Sequence, residues 1–143
     1  MNDTLKITNE NRAEYEFKKV RFEGHIEIAG NMEWVRFACL YASKSIRALA
    51  GSGIEARLGI RAGLGIKSGL GIKAGSGIKA GSGIESGEGI EAGSDIEAKF
   101  LSAKLRIFAG LISWRLPTES ELEIRAEIRS GTVAFGRVIY PKA

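Results

Sequence analysis

Cysteine and histidine are almost missing from this chain: Cys39 and His25 each stand alone among 143 residues. A lone cysteine excludes an internal disulfide and suits a reducing compartment. One histidine and one cysteine also fall short of a zinc site. Nowhere is there an apolar run of the roughly eighteen residues that a membrane helix needs. The opening Met1-Asn2-Asp3-Thr4-Leu5-Lys6 leads into a polar stretch with no hydrophobic secretory core. The expectation is a soluble cytoplasmic protein with no membrane partner. A formal charge of +4 is too small to demand nucleic acid. Apolar content of 44% and charged content of 27% are ordinary, so residues 1–143 are expected to form one domain around a sizeable core.

Glycine is plentiful, with 19 residues, most of them periodic. Isoleucine falls on every sixth position, Ile54, Ile60, Ile66, Ile72, Ile78, Ile84, Ile90 and Ile96, and the intervening residues read charge, small, Gly, variable, Gly. A fixed short period marks stacked repeats. Six matches no helical period, and two glycines per repeat cost a helix about 1 kcal/mol each. Short strands joined by corners fit instead. Alternation along Ile72-Lys73-Ala74 puts Ile inward, the charge outward and Ala inward. Gly63, Gly69, Gly75, Gly81, Gly87 and Gly93 fall at the corners, where positive φ is expected.

The outward charges choose the coil length, because opposite charges on neighbouring strands attract and like charges repel. A coil of three hexads stacks Glu55–Lys73, Lys73–Glu91, Lys79–Glu97, Lys67–Glu85 and Arg61–Lys79; only the last pair repels. A coil of two hexads would stack Glu55–Lys67, Lys79–Glu91 and Lys73–Glu85 favourably, but Lys67–Lys79, Arg61–Lys73 and Glu85–Glu97 would repel. The expected fold is therefore all-β: a single parallel β-solenoid of triangular section, with irregular capping segments at both ends.

The isoleucine spacing and glycine turns of residues 53–99 resemble the hexapeptide-repeat parallel β-solenoids, the left-handed β-helix among them. In that family the fifth position is small and inward. Here it reads Leu58, Leu64, Leu70, Ser76, Ser82, Glu88 and Ser94, and an inward Glu88 would be costly.

Residues 51–99 form the regular repeat. Upstream, Phe22, Ile28, Trp34, Leu40 and Ile46 echo the sixfold spacing and assign residues 15–50 to degenerate first coils or a cap with larger inward residues; a two-residue slip at Ser52-Gly53 follows. The rival reading is a helix over residues 31–49, with Asn31 as N-cap and Gly51 as C-cap. Downstream, residues 100–143 hold strands and a cap. Leu122 to Arg129 alternates as a half-exposed strand, and Leu116 to Glu121 reads as a loop. The aromatics Trp34, Trp114, Phe100, Phe108, Phe135 and Tyr140 lie outside the glycine-rich centre and suit end caps.

Residues carrying chemistry are sparse. His25 would be the general base if the chain resembled the acyltransferases of the hexapeptide family, but neither an inserted loop nor a cofactor segment accompanies it. Cys39, in an apolar run, reads as a small hydrophobe. The recurring Gly-x-Gly lacks the lysine and the strand–helix context of a phosphate loop. The charges divide along the chain. Arg57, Arg61, Lys67, Lys73 and Lys79 make a basic set expected to form one binding face, and Glu85, Glu88, Glu91, Asp95 and Glu97 an acidic one.

The expected function is a non-enzymatic interaction protein without cofactors, binding another protein or a protein–nucleic-acid complex through rigid charged faces. By analogy, it would be a virus- or mobile-element-encoded inhibitor of the anti-CRISPR or DNA-mimic kind. The alternative is a self-assembling homo-oligomer that resembles bactofilin polymers. A hexapeptide-repeat acyltransferase using His25 ranks third.

Overall fold

The computed structural model describes residues 4–110, 116 and 118–139. Strands alternate with tight corners from Thr4 onward, and each strand pairs in parallel with one a full coil away. Three stacks result, the faces of a triangular β-solenoid with about six coils. The first face stacks β1 (Thr4–Ile7), β3 (His25–Ile28), β6 (Ile46–Ala48), β9 (Ile66–Ser68) and β12 (Gly83–Ser86). The second stacks β4 (Glu33–Phe37), β7 (Ser52–Ala56), β10 (Ile72–Ala74) and β13 (Ile90–Ala92). The third stacks β2 (Lys19–Phe22), β5 (Cys39–Ala42), β8 (Ile60–Ala62) and β11 (Ile78–Ala80). Two long strands, β14 (Ile96–Phe108) and β15 (Glu123–Phe135), bend around the corners to continue the stacks. Finally, β16 (Arg137–Ile139) pairs with the start of β15.

In the regular region the coil length is that expected: Ile72 lies between Ile54 and Ile90, three hexads from each. Earlier coils are longer, with Ile26, Ile46 and Ile66 stacked and each step two positions more than three hexads. The extra residues fall at corners such as Ala50-Gly51, where Gly51 has φ of 80°. This absorbs the slip before Ile54. Residues 31–49 hold β4, β5 and β6, so the helical alternative is overturned. The inward residues of the first coils include Val20, Ile26, Val35 and Leu40, which continue the large aliphatic column, and Ile28 and Phe37, which are larger than the alanines Ala48 and Ala56 above them. Phe22, in register with the inward Ala42, packs against this core part-buried, whereas Trp34, in register with Gly53, points outward, because the echo runs out of phase there.

Every repeat isoleucine from Ile54 to Ile96 is at most 1% exposed. Burying one such side chain contributes about 1.5–3 kcal/mol, and no single coil buries its own. The third position is also inward, as Ala56, Ala62, Ser68, Ala74, Ala80, Ser86 and Ala92. Two expectations need correcting. The fifth position points outward: Leu58 and Leu64 are 41% and 49% exposed, and Glu88 reaches solvent. The repeat's corner glycines do not use positive φ either; glycine is required there because the coil below comes too close. A Cβ on Gly75 would overlap the carbonyl oxygen of Arg57, and one on Gly81 that of Gly63.

Candidate functional site

The outward row of each face is a ladder of charges one coil apart, and all five pairs derived from a three-hexad coil are in register. Lys67 Nζ is 3.6 Å from Glu85 and Lys79 Nζ 3.5 Å from Glu97. Arg36 extends the second face's ladder downward, donating to Glu55 at 3.1 Å. These pairs are exposed, and each contributes at most about 1 kcal/mol.

The same register distributes the two charged sets around the prism. Lys67, Lys73 and Lys79 stand one on each face, and Glu85, Glu91 and Glu97 lie directly above them. The sets are therefore adjacent belts, not two faces. Arg57 lies at the corner between the second and third faces, and Glu88 at the corner between the first and second. Asp95 and Glu97 are occupied: Arg125 donates to both at 2.9 and 2.7 Å and to Glu123 at 2.9 Å. These bonds, with the nearby Lys79 charge, hold the Glu97 carboxyl below the ordinary glutamate range. Lys73 is drawn over the Trp34 ring, 5.0 Å from its centre.

Three cations of the basic set do converge, around the edge where the third face turns into the first. Arg61 and Lys79 are stacked on the third face, Arg47 and Lys67 on the first, both as like-charged neighbours in register. Leu64 is at the corner between them, its N–H bonded to the Lys44 carbonyl and its own carbonyl accepting from Ser82 N–H. The backbone N–H of Lys99 continues this corner upward by donating to the Ser82 carbonyl. An exposed leucine ringed by cations is thus built from three separate coils. Sequence reading identifies Arg61, Lys67 and Lys79 but misses Arg47 and Leu64: Arg47 precedes the regular repeat, and Leu64 occupies a position that the family resemblance puts inward.

Beside this edge a furrow of about 490 Å³ runs up the first face. Its floor is Gly65; His25 and Ser45 stand below it, Phe100 above, and Arg47 and Lys67 flank it. His25 Nδ1 lies 2.6 Å from Ser45 Oγ and accepts from Ser45 N–H at 3.3 Å. In the neutral ring this places the proton on Nε2. Among the described residues no cluster of three or more His, Cys, Asp or Glu is arranged to hold a metal ion. No described helix is long and apolar enough to cross a membrane.

Of the aromatics expected as end caps, Trp34 and Phe100 lie on outer faces, and Phe108 and Phe135 stack on each other in the outward row of the second face. Trp114 and Tyr140 lie outside the described residues. No protein-family model matches the chain, and comparison with curated proteins and with solved structures returns no match.

Proposed function

We propose that this protein is a non-catalytic binding module that docks the Leu64 edge onto an acidic surface of a macromolecular partner, a protein or a protein–nucleic-acid complex. The observation that carries this reading is the pair of like-charged stacks, Arg47–Lys67 and Arg61–Lys79, on either side of an exposed leucine. Along the second face every stacked pair from Arg36 to Glu91 is of opposite sign, so repulsion at this edge is local. An acidic partner relieves that repulsion, and Leu64 supplies apolar area at the centre of the contact. The prism is a favourable scaffold because strand pairing in every coil holds the side chains in place, so little ordering cost is left for binding. The inhibitor reading is its narrower form, aimed at an acidic target. The DNA-mimic version has less support, since Asp95 and Glu97 already bind Arg125.

The experiment is affinity purification from the native host with three baits. Wild type and Glu91→Lys, altered on the second face, should retain the same partner. The combination Arg61→Glu, Lys67→Glu and Leu64→Asp should lose it, with unchanged circular dichroism. Equal recovery by all three baits sinks the proposal.

A second reading, end-to-end self-association of the kind that resembles bactofilin polymers, is favoured by the last coil. Only Glu123–Arg125 of β15 pair with β16, which leaves residues 127–135 without a strand on their outer side among the described residues. Phe135 there is 42% exposed. Open strand edges recruit further strands. Sedimentation across a wide concentration range decides it: a mass independent of concentration rejects assembly.

A further inference from the structure

We propose that the furrow on the first face binds a small planar aromatic anion, its ring lying on Gly65 and its negative group held between Arg47 and Lys67. Arg47 and Lys67 also belong to the edge proposed to meet a macromolecular partner, but the small-molecule test uses no such partner.

The molecule already contains two side chains bound in this manner. On the second face, the Trp34 indole lies flat across the glycines preceding Ile54 and Ile72. A Cβ on Gly53 would meet its Cε3 at 2.8 Å and one on Gly71 its Cη2 at 2.8 Å. Lys73, two residues beyond Gly71, places Nζ over the ring. On the first face the Phe100 ring covers Gly83, and Arg129 lies over its other side, with Cζ 3.9 Å from the ring centre. Ring, glycine and cation recur because the residue before each inward isoleucine points outward, and glycine there leaves backbone on which a ring can lie.

Gly65 is the same position one coil below Gly83, and among the described residues no side chain covers it. The nearest atom to a Cβ there would be the Gly83 carbonyl oxygen at 3.3 Å. The cation is present too, since Lys67 stands two residues beyond Gly65 as Lys73 does beyond Gly71. Two further features distinguish this position from the internal examples. Its ends are closed by the His25 ring and by Phe100, so a ligand ring has aromatic neighbours along the furrow. Its flank carries Arg47 in register with Lys67; Glu85 pairs with Lys67 from above and Glu27 lies in register below Arg47, but Arg47 itself forms no ion pair among the described residues. The aromatic rings and glycine floor select a flat apolar body, and the Arg47 guanidinium, with Lys67 shared between Glu85 and the ligand, selects a carboxylate, sulfonate or phosphate beside it. The volume of about 490 Å³ is that of a small-molecule site.

The probe is indole-3-acetate, because indole is the ring the protein itself lays on glycine; neutral indole and cationic tryptamine are the controls. Backbone amide shifts of the ¹⁵N-labelled full chain report binding. The expected result is saturable movement of the Gly65, Ile66, Lys67 and Gly83 amides with indole-3-acetate, weaker binding of indole and none of tryptamine. Arg47→Gln and Lys67→Gln, both on the outer surface, should each weaken indole-3-acetate about tenfold and leave indole unchanged. Gly65→Leu should block both ligands, with folding verified from the amide spectrum; the two charge variants carry the test if it fails to fold. Absence of movement at about 5 mM probe, equal binding of all three probes, or indifference to both charge variants overturns the proposal.

Discussion

The Trp34 ring holds Gly71 from outside the prism, so closely that a Cβ on Gly71 would stand 2.8 Å from the indole Cη2. Gly59 occupies the equivalent position on the third face with no ring above it; a Cβ there would meet only the Gly77 carbonyl oxygen, at an ordinary 3.4 Å. One repeat position thus has two environments, and the same substitution should act oppositely in them. Gly71→Ala must push the indole away and is expected to cost about 1–2 kcal/mol. Gly59→Ala is expected to be neutral or to stabilise by up to about 1 kcal/mol, because it restricts the unfolded chain. Trp34→Ala should cost about 2–3 kcal/mol, below the range for a core tryptophan because the ring is only half-buried. Urea midpoints of the three variants check this, and equal losses for both glycines would contradict it.

Two buried serines, Ser52 and Ser68, separate structural from incidental hydroxyls. Ser52 is 0% exposed; its Oγ accepts from Met32 N–H at 3.0 Å and donates to the Ala29 carbonyl. Ser68 Oγ donates to the Gly71 carbonyl at 2.9 Å, but that oxygen already accepts from Ile54 N–H. Ser52→Ala therefore leaves a buried N–H unpaired and is expected to cost about 1–3 kcal/mol. Ser68→Ala, which only restores the repeat's usual alanine, should cost under about 1 kcal/mol. Chemical denaturation of the two variants side by side is the measurement, with Ser52→Ala the more sensitive.

The core was legible in the sequence because it obeys one rule: each inward isoleucine must meet another a coil away, and only the three-hexad coil also pairs Glu55, Lys73 and Glu91. The corners were less legible. Periodicity reports that Gly75 and Gly81 are needed, but cannot distinguish a demand for positive φ from the close approach of a carbonyl in another coil. The first coils misled at Trp34, where coils longer than three hexads shift the phase while the apolar spacing persists. The candidate edge was half visible. Charge along the chain identified Arg61, Lys67 and Lys79, but Arg47 joins them only through the stacking of β6 on β9.

Arg125 of β15 fastens the last coil to the one beneath it through Glu97 and Asp95, and Glu123 on its own strand steadies the guanidinium. Its hydrogen bonds, and secondarily Lys79, lower the Glu97 pKa; Arg12 does the same to Glu16 at the other end of the molecule. A carboxyl whose pKa is lowered by folding contributes stability that is complete above its unfolded pKa, about 4.3 for glutamate, and is lost as pH falls through the folded value. Stability should therefore hold from neutral pH down to about 5 and then fall. Glu97→Gln should lower stability at neutral pH and flatten part of the acid slope. Urea titrations at pH steps compare the two proteins, and identical slopes would show that the Arg125 cluster contributes nothing.

Arg61 and Lys79 are stacked like charges, and the fold alone does not require both. Arg61→Glu turns that repulsion into the alternation seen on the second face. In cross-strand terms it should stabilise the protein by about 0.2–1 kcal/mol at low salt. Screening by about 0.5 M salt should remove most of the gain. The same substitution places a negative charge on the edge proposed to meet an acidic partner, so binding should weaken while folding improves. That opposition distinguishes a surface retained for binding from one that merely tolerates charge. Salt-dependent denaturation supplies the first half and partner affinity the second. If Arg61→Glu lowers stability, or raises it with no effect on binding, the like-charged stack has no role in recognition.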